Sequence, residues 1–308
     1  MRIAVFGAGG VGGYFGGKLA NAGVDVTFIA RGAHLAALRE RGLRVRSVHG
    51  DFELRTPAVT DDPAKIGPVD YVLVTVKSPQ TTEVAHRLGP LLGDATAVVS
   101  LQNGVDNEEK LATAVGDDHV VGGAAYIFAT IAEPGVIRHT GGPTTITVGE
   151  WTGGTSERVG RLVEACRAAG FGADESPSIK TTLWTKFAFI CALAGTTAAI
   201  RLPIGEIRAA PAARELFYRV VTETCEVGRA EGVDLPADLP EKHLAFTDKL
   251  EPGGYSSLHH DLTQGNPMEL DALLGEVVRR GARAGVPTPM SEALYAILQP
   301  WQIRNSAG

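Results

Sequence analysis

The chain has 308 residues, of which 44% are hydrophobic and 21% charged, and its net charge at pH 7 is -6. These values are typical of a globular protein with enough chain for two domains of about 150 residues each. The acidic balance and the lack of a block rich in Lys or Arg argue against nucleic acid and anionic membranes as partners.

The first predicted elements are a strand and a helix joined by glycines. The segment IAVFGAGGVGGYFGGKLANAG, residues 3–23, runs from an apolar strand through Gly7, Gly9 and Gly12 into a helical stretch. In a dinucleotide-binding loop, these glycines permit the tight turn, the approach of a pyrophosphate and close helix packing. The strand–helix–strand context favours such a loop over a structural turn. The expected cofactor contacts are Gly7, Ala8, Gly9, Gly10, Val11 and Gly12.

The end of the second predicted strand bears on the choice of cofactor. NAD-binding folds place Asp or Glu there to bind the adenosine ribose. This chain has Arg31 in FIARGAH instead, and a guanidinium can pair with a 2′-phosphate. We therefore expect NADPH rather than NADH, the alternative being a solvated loop arginine. Lys77 follows the third predicted strand, where it would reach the cofactor or serve only a structural role.

The first half of the chain alternates apolar runs with helical stretches, which predicts a parallel sheet covered on both faces. The predicted strands cover residues 2–7, 25–30, 70–76 and 95–101, and the predicted helices cover residues 11–22, 33–41, 80–92, 106–115 and 155–169. Three further strands within residues 119–149 are expected to extend the sheet in antiparallel fashion. The prediction is an α/β, Rossmann-type NADP-binding domain over residues 1–176.

The second half, residues 177–308, is predicted to be an all-helical substrate and catalytic domain beyond a polar segment that contains Pro177. In one helix the spacing of apolar residues predicts a buried face, with Pro287 and Pro289 ending the helix. That face comprises Leu270, Leu273, Leu274, Val277 and Gly281. The adjacent His259 and His260 are interpreted as surface or packing residues. No metal-ligand spacing and no GxSxG elbow is present, so neither a metal site nor a hydrolase is expected.

Cysteine usage and hydropathy point to the cytoplasm. The three cysteines, Cys166, Cys191 and Cys225, form no CxxC pair, which suits a reducing compartment. The sequence opens directly on a strand pattern, so no signal peptide is expected. The longest apolar run, residues 187–200, is too short for a membrane span and fits a buried helix.

One lysine stands out in the second half. Lys186, in TTLWTKFAFICALAG, introduces a charge into a long apolar helix. A desolvated lysine can protonate the oxygen of a carbonyl that accepts a hydride, because burial lowers its pKa, and its charge stabilises the developing oxyanion. The alternative is a lysine that extends its amine to water.

These motifs occur in an order that resembles ketopantoate reductases (2-dehydropantoate 2-reductases) over nearly the whole chain. The resemblance rests on FGAGGVGGYFGGKLA, TVKSPQT, LQNGVDNEEKL, GVIRHTG, LWTKF, SSLHHDLTQGNPMELDALLG and RRGARAGVPTPM. It implies NADPH-dependent reduction of a 2-oxo acid, namely 2-dehydropantoate to pantoate in pantothenate and coenzyme A biosynthesis. By position, Lys186 would donate the proton and Asn103 would contact both nicotinamide and substrate. Ser257 would bind the substrate, and Glu269, at the start of a helix, would hydrogen-bond the cofactor or the lysine.

The chain departs from the family pattern at three positions. Ile190, Ala194 and Ile204 stand where the family usually has asparagine, and the first two share a helix face with Lys186. An apolar face favours an apolar substrate over a hydroxylated one, so a more apolar 2-oxo acid or another carbonyl or imine is the alternative substrate. Compensation by polar residues such as Thr196, Thr197 or Ser256 also stays open, as does a non-catalytic NADP-binding sensor. A homodimer is possible.

Overall fold

The computed structural model describes residues 1–306, which divide into two compact units at Lys180 and Thr181. The domain boundary that the sequence predicts, between residues 176 and 177, stays a prediction.

The first unit is built on one ten-stranded sheet. Its strands are β1 (Arg2–Phe6), β2 (Asp25–Ile29), β3 (Leu43–Ser47), β4 (Phe52–Leu54), β5 (Ala58–Thr60), β6 (Tyr71–Val74), β7 (Ala97–Ser100), β8 (Val120–Glu133), β9 (Val136–Glu150) and β10 (Gly172–Glu175). They lie in the order β4-β3-β9-β8-β7-β6-β1-β2-β5, and β10 pairs with β9. The central strands β7, β6, β1 and β2 are parallel.

Helices cover both faces of this sheet, as expected for a Rossmann-type fold. They are α1 (Gly10–Asn21), α2 (Gly32–Arg41), α3 (Thr81–Ala85), α4 (Asn107–Val115) and α5 (Glu157–Ala168). Successive residues of β1 enter opposite cores: Ile3 and Val5 pack in one, Ala4 and Phe6 in the other. This alternation follows from the pleat and explains why a strand buried on both faces is apolar throughout.

The structure corrects two predicted elements of this unit. The helix predicted over residues 80–92 is the short α3 followed by a 3₁₀ turn at Gly89–Leu91, because Pro90 lacks the N–H of a continuing helix. The second and third strands predicted within residues 119–149 are one strand, β9, antiparallel to β8. Strand β8 itself pairs in parallel with β7. The predicted antiparallel extension is therefore correct for β9 only.

The second unit contains helices, as predicted. They are α6 (Ile179–Ile200, which begins just before the division), α7 (Ile204–Ala209), α8 (Pro211–Ala230), α9 (Leu239–Thr247), α10 (Ser257–Gln264), α11 (Leu274–Ala284) and α12 (Pro289–Ser306). Within residues 1–306, α6 is the one helix long and apolar enough to cross a membrane, and 67% of its most apolar window is buried inside the protein. It is longer than the apolar run suggested, but it has the burial of a core helix.

Helix α11 begins later than the sequence predicts. The five residues of the predicted apolar face are all buried, but Leu270 and Leu273 lie in a turn before the helix. Leu273 has φ −106° and ψ −99°, which is not helical, so the first helical residue is Leu274. Glu269 therefore precedes a turn and does not start a helix, which corrects the prediction and removes a helix dipole as its source of stabilisation.

Candidate active site

The glycine loop between β1 and α1 has the packing that the sequence predicts. Gly7 has φ +107°, and a Cβ there would lie 2.9 Å from Val76 Cγ1. A Cβ on Gly12 would clash with the Gly7 carbonyl oxygen and the Thr75 hydroxyl, so strand and helix approach as closely as glycine allows. Gly9 differs, since no atom lies within 4 Å of a Cβ built on it. The space beside Gly9 is thus free of protein atoms, which fits the approach of a phosphate to the Gly9 backbone.

Two side chains from outside the loop fix its carbonyl groups. The Thr75 hydroxyl donates to the Gly7 carbonyl at 2.5 Å. His34 bonds to the Ala8 carbonyl through Nε2 at 2.8 Å, and its Nδ1 accepts from the Gly135 N–H at 3.1 Å. The ring therefore carries its proton on Nε2, and burial lowers the pKa of His34 below its ordinary value. These contacts hold the loop in one conformation.

The parallel strands bring several predicted residues to one edge of the sheet. Gly7 follows β1, Arg31 follows β2, Lys77 follows β6 and Asn103 follows β7. Because these strands are adjacent and parallel, their carboxyl ends lie along a single edge. In open α/β sheets, that edge is where ligands bind.

Arg31 has a partner that the sequence did not suggest. Its Nη1 lies 3.0 Å from Glu83 Oε1 on α3, and both side chains are about half exposed. An exposed pair of this kind stabilises the fold little. It does place a carboxylate beside the guanidinium expected to bind a 2′-phosphate. Glu83 is far from Arg31 in sequence, so no local pattern could show this contact.

The loop that carries Asn103 is held by buried polar side chains. The Asn103 carbonyl accepts from the Ser78 hydroxyl at 2.6 Å and from Asn107 Nδ2 at 2.8 Å. Lys77 is exposed and Asn103 is half-buried. Sequence reasoning missed Ser78 and Asn107, although both are polar residues that follow neighbouring predicted strands, which was the available signal.

The remaining predicted residues lie in the second unit. Lys186 is half-buried on α6, Glu269 is half-buried before α11, and Ser257 is the exposed first residue of α10. The preceding Ser256 caps that helix, its hydroxyl accepting from the His259 N–H at 3.0 Å. His259 stacks on Tyr255 and His260 is exposed, as interpreted from the sequence. Nowhere in residues 1–306 does a group of three or more His, Cys, Asp or Glu side chains form that could hold a metal ion.

The polar residues considered as substitutes for the missing asparagines are engaged elsewhere. Thr196 and Thr197 have no exposed surface. Their hydroxyls donate to the carbonyls one turn earlier in α6, at 2.7 and 2.6 Å. Ser256 is buried, with its hydroxyl 2.7 Å from that of Thr197. Ile190 and Ala194, by contrast, keep the Lys186 face of α6 apolar. These contacts argue against compensation by the two threonines and Ser256.

Both units match models of the same family. Residues 3–153 match the model described as "Ketopantoate reductase PanE/ApbA", and residues 178–302 match the model of its C-terminal part. The chain belongs to the ketopantoate reductase family. It is therefore an oxidoreductase with a Rossmann-type domain followed by a helical one, which confirms the fold class and the resemblance.

Relatives of this ketopantoate reductase family member align over nearly their full length. The chain is 32% identical to a 2-dehydropantoate 2-reductase of Mesorhizobium japonicum, with 97% of each chain covered. It is 30% identical to an uncharacterised oxidoreductase, YkpB, of Bacillus subtilis, over 98% of this chain and 99% of that one. A PanE/ApbA family ketopantoate reductase from Ralstonia eutropha has a TM-score of 0.90 at 32% identity, covering 99% of this chain and all of that one. Reductases of this family use a nicotinamide cofactor.

Proposed function

We propose that this protein reduces 2-dehydropantoate to pantoate with NADPH, as a cytoplasmic enzyme of pantothenate and coenzyme A biosynthesis. The observation that carries the proposal is the sheet edge, where the glycine loop, Arg31, Lys77 and Asn103 follow adjacent parallel strands. Membership of the family and the name of the Mesorhizobium japonicum relative support the reaction.

In the proposed mechanism, the residues of the chain bind the cofactor, orient the substrate and protonate its carbonyl oxygen. The chemistry that a bound nicotinamide supplies is transfer of a hydride to C2 of a 2-oxo acid. Residues 7–12 would hold the phosphates through backbone N–H groups at the start of α1. The Asn103 side chain offers both a donor and an acceptor to nicotinamide and substrate.

In this mechanism, a residue of the second unit donates the proton. Lys186 Nζ would donate a proton to the carbonyl oxygen as it becomes an alkoxide, and its charge would stabilise that oxygen beforehand. Lys186 lies half-buried on α6, the long apolar helix of the second unit. Ser257 would bind the substrate, and Glu269 would hydrogen-bond the cofactor or Lys186.

A second candidate substrate is a 2-oxo acid without a hydroxyl group. The observation that favours it is the apolar face of α6 at Ile190 and Ala194. In addition, the threonine hydroxyls of the same helix already donate to its own backbone carbonyls. A site with no hydrogen-bond partner for a substrate hydroxyl gains no binding energy from that hydroxyl. It does gain binding energy when the substrate carries a methyl group there instead.

The deciding experiment follows the loss of NADPH absorbance with two matched substrates. Ketopantoate and trimethylpyruvate share one carbon skeleton and differ by the terminal hydroxyl. A kcat/KM at least about tenfold higher for ketopantoate would support the proposal, and the reverse ratio would favour the apolar substrate. Repeating the rates with NADH tests the cofactor. Binding of NADPH without its oxidation by any 2-oxo acid would instead indicate a sensor.

A further inference from the structure

A buried group of polar side chains connects the loop of Lys77 to the loop of Asn103. We call it the Asn107 network, and it consists of Ser78, Thr81, Gln102 and Asn107. These side chains are between 0% and 5% exposed. Burying polar groups costs stability unless each finds a partner, so a network of this kind specifies one arrangement of the loops that carry it.

On one side, the network fixes the backbone at Asn103. The Asn103 carbonyl accepts two hydrogen bonds, from the Ser78 hydroxyl at 2.6 Å and from Asn107 Nδ2 at 2.8 Å. A carbonyl oxygen has two lone pairs, and both are used here. The peptide plane that follows Asn103 is therefore held in one orientation.

On the other side, the network fixes the backbone on both flanks of Lys77. Gln102 Nε2 donates to the Val76 carbonyl at 2.9 Å and to the Thr81 hydroxyl at 2.8 Å. The Thr81 hydroxyl lies 2.9 Å from the Ser78 carbonyl and 2.8 Å from Asn107 Oδ1. The residues before and after Lys77 are thus bonded into the same network as Asn103.

Asn107 is the member whose chemistry is hardest to replace. Its amide has an oxygen beside the Thr81 hydroxyl and a nitrogen that donates to Asn103, so one side chain serves both loops. Helix α4 does not require asparagine at this position. Asn107 is the first residue of that helix, where an acidic residue is favoured by the dipole.

We propose that Asn107 is a positioning residue, which sets the placement of the Asn103 amide relative to Lys77 for hydride transfer. The inference rests on the proposed function, in which Asn103 contacts nicotinamide and substrate. Displacement of a reacting or orienting group by about 1 Å can lower the rate by about 100-fold. Loss of the Asn107 hydrogen bonds therefore acts on kcat more than on the binding of NADPH, which the glycine loop provides.

The test compares Asn107→Leu and Asn107→Asp with a buried polar control at the opposite end of β7. Thr96 is 2% exposed, accepts from the Gly93 N–H at 2.8 Å and donates to the Val69 carbonyl at 2.5 Å. Thr96→Val removes comparable hydrogen bonds at the amino end of the strand. We expect similar losses in Tm for all variants. We expect kcat to fall about 100-fold only for the Asn107 variants, with the Kd for NADPH changed less than about threefold.

A pH profile gives a signature that loss of stability would not. The carboxyl group introduced by Asn107→Asp can donate to the Asn103 carbonyl when it is protonated, whereas the ionised carboxylate and a leucine side chain cannot. The kcat of Asn107→Asp should therefore rise relative to wild type as the pH falls, and that of Asn107→Leu should not. Should neither variant fold, Ser78→Ala removes one donor and should lower kcat about tenfold.

The outcomes separate the two proposals. Equal kcat losses in Asn107→Leu and Thr96→Val, in proportion to Tm, would overturn the inference and leave the proposed function standing. An unchanged kcat in the Asn107 variants would also overturn the inference and leave the proposed function standing. If the Asn107 variants do not fold, an unchanged kcat in Ser78→Ala has the same meaning. If the wild-type chain turned over no 2-oxo acid, the proposed function would fail and the inference with it.

Discussion

The sheet edge in the first unit and helix α6 in the second position their candidate functional groups differently. At the edge, the glycine loop is held by close backbone packing and by Thr75 and His34. On α6, Lys186 belongs to a continuous helix whose threonine hydroxyls bond back to its own carbonyls. Geometry at the edge thus depends on residues distant in sequence, whereas the regular backbone of α6 sets the position of the Lys186 Cα.

This difference has a consequence for mutagenesis. Truncation of a helical side chain to alanine keeps the helix backbone, so a change in kcat can be assigned to the lost side chain. Residues at the sheet edge share partners, and their variants combine effects on packing and on binding. Matched pairs of variants are therefore needed there.

The largest expected effect is that of Lys186→Ala. Removal of a general acid lowers kcat by about two to four orders of magnitude, while the Kd for NADPH and the Tm change little. Steady-state kinetics together with a binding titration measure both quantities. Lys180→Ala, which removes an exposed lysine from the same helix, is the control and should retain wild-type kcat. A Lys186→Ala enzyme within about threefold of wild type would exclude the proton-donor role.

The glycine loop calls for a pair of variants. Gly12→Ala puts a methyl group against the Gly7 carbonyl and the Thr75 hydroxyl, so the free energy of unfolding should fall by about 3 kcal/mol. Gly9→Ala meets no protein atom, so it should leave stability within about 0.5 kcal/mol of wild type while weakening NADPH at least about tenfold. Urea unfolding and fluorescence titration of NADPH separate the two effects. Unaltered NADPH affinity in Gly9→Ala would show that no phosphate approaches that position.

A buried carboxyl on α4 gives the first unit a pH-dependent stability. Glu108 is 1% exposed, so its carboxyl group is almost completely removed from water. Burial raises the pKa of Glu108 from 4.5 to about 7. Because the pKa is raised in the folded state, this contribution to stability is fully present below about pH 4.5 and is lost as the pH rises to about 7.

Glu108→Gln abolishes this titration. Relative to wild type, the variant should gain about 3 kcal/mol of unfolding free energy between about pH 4 and about pH 8. Urea unfolding at several pH values measures the difference. Glu109→Gln changes the exposed neighbour on the same helix and should show no such gain. A stability difference between Glu108→Gln and wild type that is constant with pH would show that Glu108 ionises normally.

The two regions also differ in how far the sequence predicted them. Glycine spacing after an apolar strand was sufficient to predict the loop, because the roles of Gly7 and Gly12 follow from local geometry. The parallel order of the strands placed Arg31, Lys77 and Asn103 at one edge. The contacts of His34 with Ala8 and of Glu83 with Arg31 could not be predicted, since each joins residues that are distant in sequence. Glu269 was misplaced because a turn interrupts an otherwise helical apolar pattern.

The smallest expected effect concerns Arg31, where one long-range partner modifies a residue that the sequence predicted. Arg31→Ala removes charge-assisted hydrogen bonds to a 2′-phosphate, so NADPH should bind about tenfold more weakly while NADH changes less than about twofold. Glu83→Gln should act in the opposite direction. It removes a carboxylate 3.0 Å from the guanidinium, which would repel the phosphate and compete for the same donor.

The double variant connects the two single effects. If Glu83 acts on NADPH only through Arg31, then Glu83→Gln should strengthen NADPH binding by about two- to threefold in the wild-type background and leave it unchanged when Arg31 is alanine. Titration of NADPH and NADH into all four proteins at one ionic strength measures this coupling. Equal weakening of both cofactors by Arg31→Ala would show that Arg31 does not distinguish the phosphate. The selectivity of the sheet edge would then have to come from another residue, such as Lys77, which follows β6 at the same edge.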